Sequence, residues 1–210
     1  QEIDFIKDTQ NLNETTKEAP KIESIKLEDK KTSFSPSALQ LFDECQKRYE
    51  MKYIYNMPDP TPQSWEAIAL GTFVHKVLEK AVTEESKTLK EIEDLAKIIQ
   101  LEYYKEINID NALPMIKVFF ERNKDKYNEN SLTEEYLQTE IEGLTFRGFA
   151  DRIDIEDNGE LTIVDYKTGK SDIKPKYRNW QLGIYALASK HFGNPKKLVL
   201  EMLQKEYPLE

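Results

Sequence analysis

The sequence predicts an α/β fold in which helices occupy the first half of the chain and strands dominate the second. Apolar residues recur at helical spacing as far as residue 127, and alternating apolar and polar residues replace that pattern from about Leu132. The second half contains three strands in a meander, a crossover helix and a last strand, which is typical of a layered α/β domain. The chain has no internal repeat and no low-complexity tract.

Composition predicts a water-soluble protein with one sizeable core and no contact with a membrane. The chain has 210 residues, of which 33% are charged, and its net charge is −9. No apolar run approaches the roughly 20 residues that span a bilayer, and we expect no signal peptide in the opening residues QEIDFIKDTQ. Cys45 is the only cysteine, which excludes an intramolecular disulfide framework and favours a cytoplasmic location.

Residues 1–33 are predicted to be a linker or flexible arm, because they are polar, lack Trp and Tyr and show no sustained periodicity. The folded domain is predicted to span residues 34–210. Its first helix is predicted to begin at Pro36. Proline lacks a backbone N–H, and at the first helical position this N–H would have no hydrogen-bond partner within the helix. Helical spacing then connects five residues that precede the proline-rich stretch 57–62: Leu39, Phe42, Cys45, Tyr49 and Tyr53.

A second helix is predicted from about Ser64 to Ala81, and it carries His75. Gly71 lies one turn before the histidine. Because glycine inside a helix costs about 1 kcal/mol relative to alanine, it indicates a close approach by another backbone or a ligand. Residues 87–127 are predicted to form two more helices, which we interpret as a helical cap or insertion.

The second half of the chain is predicted to begin with a meander and to end with a crossover helix and a strand. The segment Asp157-Asn158-Gly159 is a strong hairpin turn signal, because Asn and Gly accept the positive φ values of tight turns. The predicted elements are strands over 134–142, 144–156 and 160–167, a helix over 178–192 and a strand over 197–205.

Each strand of the hairpin formed by residues 144–156 and 160–167 has an apolar face that includes charged residues. The faces comprise Phe149, Asp151, Ile153 and Ile155 on one strand, and Leu161, Ile163, Asp165 and Lys167 on the other. We expect both faces to be buried, and burial of two carboxylates and a lysine is unfavourable unless something compensates for it. A divalent metal would do so. The alternative is a surface hairpin whose Asp and Lys residues form cross-strand ion pairs.

A basic strip follows the hairpin. Between Leu144 and Leu200 ten Lys and Arg residues oppose seven Asp and Glu residues, so this region is locally positive within an acidic chain. Such a strip is compatible with a phosphate backbone as ligand, and an ordinary solvated loop is the alternative. Its candidate DNA-binding residues are Lys170, Lys174, Lys176 and Arg178.

Four motifs occur in a fixed order along the chain. They are G-x-x-x-H (71–75), G-x-x-D-R-I-D (148–154), V-D-Y-K-T-G (164–169) and Q-L-x-x-Y-A (181–186). Together, over residues 34–205, they resemble the RecB-like branch of the PD-(D/E)xK nuclease superfamily, which includes AddB-like exonucleases and the nuclease domains of helicase–nucleases. The resemblance implies a mixed central β-sheet flanked by helices, that is, a restriction-endonuclease-like core with an N-terminal helical portion.

The resemblance also implies a site for Mg²⁺ or Mn²⁺. The metal ligands would be His75, Asp151, Asp165 and the carbonyl of Tyr166. Oxygen ligands suit both ions, and one imidazole makes Mn²⁺ easy to accept.

The catalytic residues that the resemblance implies are Asp151, Asp165, Lys167, Gln181 and Tyr185. Lys167 would orient the attacking water or neutralise developing charge, while Gln181 and Tyr185 would shape the site and touch the substrate backbone. Glu140 is a candidate outer carboxylate, and Glu142 or a solvated edge position is equally plausible.

Some relatives bind an iron–sulfur cluster through one early cysteine and a group of later ones. Cys45 lies where the early one would be, in F-x-x-C-Q-x-R-Y, and no later cysteine exists. We therefore expect no iron–sulfur cluster from this chain alone. We interpret Cys45 as a residue on the apolar face of a helix; a chain truncated before the later cysteines is the alternative.

The function that these features predict is that of a metal-dependent deoxyribonuclease that hydrolyses phosphodiester bonds. We expect an exonuclease of DNA recombination and repair, belonging to a larger helicase–nuclease, with DNA and a helicase domain or subunit as partners. A catalytically inactive DNA-binding or scaffolding relative is one alternative, against which His75, Asp151, Asp165 and Lys167 all argue. A metal-dependent phosphodiesterase that acts on RNA or nucleotides is the other.

Overall fold

The computed structural model describes residues 33–58 and 65–206. Its helices are α1 (Pro36–Glu44), α2 (Gln46–Tyr49), α3 (Trp65–Thr83), α4 (Leu89–Tyr103), α5 (Leu113–Asn123) and α6 (Pro175–Ala188). Its strands are β1 (Ser33–Phe34), β2 (Leu132–Ile141), β3 (Leu144–Ile155), β4 (Glu160–Lys167) and β5 (Asn194–Met202). The predicted linker falls almost wholly on residues 1–32, outside the described residues.

A mixed five-stranded sheet forms the centre of the domain, which confirms the predicted fold class. Strands β2, β3 and β4 form an antiparallel meander, and α6 then crosses over so that β5 pairs parallel to β4. The short β1 pairs parallel with the start of β3. Both hairpin turns use left-handed backbone: φ is 50° at Glu142, 76° at Gly143 and 77° at Gly159.

Helices cover both faces of the sheet, because alternate side chains of each strand point to opposite layers. On β4, Val164 and Tyr166 join the apolar core that α3, α4 and α5 share, whereas Leu161 and Ile163 join the core under α6. The predicted helices of 87–127 are α4 and α5, and they pack in one core with α3 and the sheet. No helix in the described part of the chain is long and apolar enough to cross a membrane.

The burial predicted for β3 is right at Asp151 and Ile153 and wrong at Phe149, which is 55% exposed. The predicted common face is also wrong: Ile153 joins the core under α6 together with Ala150, whereas Asp151 meets His75 of α3, so the alternation of β3 is interrupted between Ala150 and Ile153. Arg152 is buried against Tyr166 and Asn123, and Ile153 is buried in the core under α6, so both faces of the strand are covered at this end.

The predicted helical run from Leu39 to Tyr53 is not continuous. The backbone is extended at Cys45, with φ −163° and ψ 101°, and a π-helical turn (Glu50–Ile54) follows α2. A π turn adds a residue per turn, so spacing at 3.6 residues no longer identifies one face. The prediction that Cys45 lies on the apolar face of a helix is therefore wrong: the residue is exposed between α1 and α2.

Candidate metal centre

His75 and Asp151 come together from opposite halves of the chain. Helix α3 packs on the sheet through Val74, Val77 and Leu78, and this packing directs His75 toward β3. Its Nδ1 lies 3.2 Å from Asp151 Oδ1. Burial disfavours the charged imidazole, but the hydrogen bond to Asp151 and the Asp151 charge outweigh it and raise the pKa of His75.

Glu134 completes a group of three possible ligands. One ligand atom each from His75, Glu134 and Asp151 lies within 4.8 Å of the others. Glu134 faces Asp151 between the paired residues Thr133–Arg152 and Glu135–Ala150, and its φ of 50° interrupts the strand. Such a conformation is uncommon for a residue with a Cβ and is characteristic of functional sites.

Glu134 is a candidate metal ligand that the sequence analysis missed, and a signal for it was present. A two-residue turn at Glu142-Gly143 fixes the register of β2 against β3, and counting back along both strands pairs position 134 with Asp151. Neither Glu140 nor Glu142 lies in this group, and the alternative of a solvated edge position agrees with the structure. Glu142 forms the turn itself, and Glu140 is exposed six residues from Glu134, or about 20 Å along the strand.

Asp165 is buried on β4, one residue beyond Val164, which pairs with Arg152. Its Oδ1 accepts a hydrogen bond from Gln181 Nε2 at 2.5 Å, and its Oδ2 forms an ion pair with Lys167 Nζ at 2.6 Å. That contact lacks hydrogen-bond geometry, so Oδ2 is a buried oxygen without a hydrogen-bond donor among the described residues. Burial raises the pKa of Asp165 to about 6, against the opposing charge of Lys167.

Asp165 lies outside the group formed by His75, Glu134 and Asp151, but the charges of Asp151 and His75 act on it. Tyr166 connects the two parts, because its backbone N–H donates to Asp151 Oδ2 at 2.5 Å. The structure thus places the backbone N–H of Tyr166 against Asp151; its carbonyl as a metal ligand stays a prediction.

Two cavities contain the predicted residues. One, of about 590 Å³, is lined by His75, Glu134 and Asp151. The other, of about 500 Å³, is lined by Asp165 and by three further predicted residues: Lys167, Gln181 and Tyr185. Charged and hydrogen-bonding groups line both, as expected where a polar ligand binds.

Two glycines allow this packing. A Cβ at Gly148 would lie 2.7 Å from the ring of Tyr185, so only glycine lets that ring pack on β3, where Gln181 Nε2 lies 3.3 Å from its hydroxyl. A Cβ at Gly71 would lie 3.0 Å from Thr168 Oγ1. The close approach predicted at Gly71 is thus made by a side chain that follows β4.

The comparison with protein families identifies the superfamily to which this fold belongs. The family model described as "PD-(D/E)XK nuclease superfamily" matches residues 33–206. The chain belongs to the PD-(D/E)XK nuclease superfamily. The comparison with curated proteins gives no significant match.

Membership of the PD-(D/E)XK superfamily implies a metal-dependent nuclease, and the donor set fits a divalent cation. Two carboxylates and an imidazole are acceptable ligands for Mg²⁺ or Mn²⁺. Burial raises the pKa of Glu134, and the neighbouring charge of Asp151 raises it further. Asp165 Oδ2 is a further buried oxygen beside this group, and it already forms an ion pair with Lys167 Nζ at 2.6 Å.

The predicted DNA-binding residues of this PD-(D/E)XK nuclease differ in whether a carboxylate of the protein already pairs with them. Lys176 Nζ forms an ion pair with Asp43 at 2.6 Å and lies 4.8 Å from the centre of the Trp180 ring. Lys174 is exposed and lines the cavity that contains Lys167. The other two predicted contacts, Lys170 and Arg178, make no ion pair within the described part of the chain.

Proposed function

We propose that this protein is a DNA exonuclease of the RecB-like branch, acting in recombination or repair as the nuclease part of a helicase–nuclease in the cytoplasm. The observation that carries the proposal is a three-ligand group, His75, Glu134 and Asp151, next to the Asp165–Lys167 ion pair. Three of the four motifs supply His75, Asp151, Asp165 and Lys167 to this region. The order of these motifs along the chain favours the RecB-like branch.

The residues that would hold Mg²⁺ or Mn²⁺ are His75, Glu134, Asp151 and Asp165. A bound divalent ion lowers the pKa of a coordinated water and stabilises the charge that develops on a phosphate. Mg²⁺ prefers an all-oxygen environment, so the imidazole of His75 favours Mn²⁺ slightly.

Lys167 supplies a fixed positive charge at the edge of this centre. Its ammonium group is held 2.6 Å from Asp165 Oδ2 and remains partly exposed to the cavity that it lines. A positioned cation of this kind stabilises charge on a scissile phosphate or orients an attacking water. Gln181 holds Asp165 in place through its amide, and Tyr185 closes the wall of the cavity.

The substrate that we propose is DNA. Lys170, Lys174 and Arg178 follow the catalytic strand and offer cations to a phosphate backbone. Lys176 contributes less than the other three, because Asp43 already neutralises it.

The experiment is cleavage of end-labelled single- and double-stranded DNA with Mg²⁺, Mn²⁺ or EDTA, with an RNA of the same sequence alongside. We expect cleavage of DNA with either metal and none with EDTA. A circular single strand distinguishes the mode of cleavage, because an exonuclease leaves it intact. Metal-dependent cleavage of RNA but not DNA, or no cleavage of either, would contradict the proposal.

A further inference from the structure

A row of side chains leads away from the metal centre along the β2–β3 hairpin. The antiparallel register pairs Tyr136 with Phe149 and, two residues further on, Gln138 with Arg147. These pairs continue from the position where Glu134 faces Asp151. At about 3.4 Å per residue, the aromatic pair lies about 7 Å from that position along the strands and Arg147 about 14 Å.

The row lies on the face of the sheet that also carries Asp151. On β3, Phe146 and Ala150 are buried in the core under α6, and Gly148 packs against Tyr185 of that helix. Because alternate residues point to opposite faces, Arg147 and Phe149 face the other way, toward the side on which Asp151 meets His75.

Two aromatic rings in this row are open to solvent. Phe149 is 55% exposed and Tyr136 is 44% exposed. Their ring centres lie 5.4 Å apart with an interplanar angle of 60°. The pair is therefore prearranged, yet it is not part of either core cluster that flanks the sheet. Exposed neighbouring aromatic residues beside a candidate site indicate a binding surface.

The polar members of the row suit a nucleic-acid strand. Arg147 is exposed, and its side chain forms neither an ion pair nor a hydrogen bond within the described ranges. Gln138 is exposed and accepts a hydrogen bond from Tyr136 Oη at 2.8 Å. Glu140, which is acidic, follows at the far end of the row. Arg147 is therefore the one cation that this row offers to a phosphate.

We propose that this row, Tyr136, Gln138, Arg147 and Phe149, binds single-stranded DNA as it enters the metal centre. Bases would stack on Phe149 and Tyr136, and Arg147 would contact a phosphate. The bases must be unpaired, since those within a duplex are already stacked on their neighbours and cannot lay a face on the rings. The inference rests on the proposed nuclease function and adds to it the form of the substrate.

The test measures binding apart from cleavage. Fluorescence anisotropy of a labelled single strand and of the matching duplex is recorded in EDTA for the wild-type protein and for Phe149→Ala, Phe149→Trp and Arg147→Ala. Tyr103→Ala is the matched control, because Tyr103 is a 74% exposed aromatic residue on α4. Circular dichroism checks that each variant is folded.

We expect Phe149→Ala to weaken single-strand binding about tenfold, which is the effect expected when one base loses its stacking partner. Duplex binding should be unchanged. Phe149→Trp restores the affinity, and Tyr103→Ala has no effect. Arg147→Ala lowers the slope of log affinity against log salt by about 0.7, the value for one phosphate contact on a single strand.

Wild-type single-strand affinity in Phe149→Ala overturns this inference and assigns the aromatic pair to a protein partner. An equal loss of duplex and single-strand affinity overturns it as well, because it shows a contact to the backbone alone. Both outcomes leave the nuclease proposal intact, since that proposal fails only in the metal-dependent cleavage assay.

Discussion

Glu134 on β2 faces Asp151 on β3 at the position where β2 leaves the regular strand conformation, with a φ of 50° at Glu134. The distortion brings its carboxylate to within reach of Asp151 and His75. A left-handed conformation at a residue with a Cβ costs of order 1 kcal/mol or more. The backbone conformation of Glu134 therefore destabilises the strand, but it places the carboxylate where it can bind a cation.

Glu134→Gln is expected to lower metal affinity at least tenfold, because it removes one of the two carboxylate ligands of the three-member group. The measurement is the rise in melting temperature on adding Mn²⁺, or calorimetric titration with Mn²⁺. Glu135→Gln is the matched control, since Glu135 is the next residue on β2 and lies outside the group. Equal Mn²⁺ affinity in the wild type and Glu134→Gln would remove Glu134 from the site.

Asp165→Asn is expected to stabilise the metal-free protein at neutral pH. The folded-state pKa of Asp165 is raised from 3.8 to about 6. A raised carboxyl pKa means that the wild type loses stability as the pH rises from about 4 to about 6, and the full loss persists above that range. Two pKa units correspond to about 3 kcal/mol, and asparagine has no such loss.

Urea unfolding in EDTA at pH 4 and pH 7.5 measures this effect. The free energy of unfolding of Asp165→Asn relative to wild type should increase by up to about 3 kcal/mol between the two pH values. Asp157→Asn, in the exposed turn, should show no such change. A difference between Asp165→Asn and wild type that is the same at both pH values would show that Asp165 does not carry the shifted pKa.

Gly148→Ala is expected to displace the ring of Tyr185, because the new Cβ would lie 2.7 Å from its Cε1. Overpacking of this kind costs about 1–3 kcal/mol, and cleavage should slow while Mn²⁺ affinity is kept. Adding Tyr185→Leu should restore the stability but not the rate. Recovery of both would show that Tyr185 has only a packing role.

Lys174→Ala should weaken DNA binding more than Lys176→Ala does, and both should reduce its dependence on salt. Lys174 is exposed and forms no ion pair in the described ranges, whereas Lys176 is paired with Asp43 at 2.6 Å. A lysine that is already neutralised releases fewer counterions when it meets a phosphate. Anisotropy titrations between 50 and roughly 200 mM salt measure the two slopes, and a larger loss in Lys176→Ala would contradict this ranking.

Most of the fold and part of the site could be predicted from the sequence, because strong local signals specify them. The turn at Gly159 and the alternation on both sides of it place Asp151 and Asp165 on neighbouring strands. The proline at the start of α1 and the apolar spacing of α3 identify those helices and place His75 on the second.

The remaining features depend on tertiary structure. The register of β2 places Glu134 opposite Asp151, but no propensity of glutamate predicts the positive φ that it adopts there. The exposure of Phe149 depends on where the helical layer ends. The exposure of Cys45 depends on an extended residue and a π turn, which shift the faces of the first helical segment.

The most direct test of the central claim is the rate of single-turnover DNA cleavage by Lys167→Ala, with metal and DNA binding measured on the same preparation. The variant removes the ammonium group beside Asp165 Oδ2 and leaves every proposed metal ligand in place. Lys117→Ala, from a surface pair on α5, is the control. We expect Lys167→Ala to retain both binding activities and to cleave at least about 100-fold more slowly. Cleavage by Lys167→Ala at the wild-type rate would contradict the account.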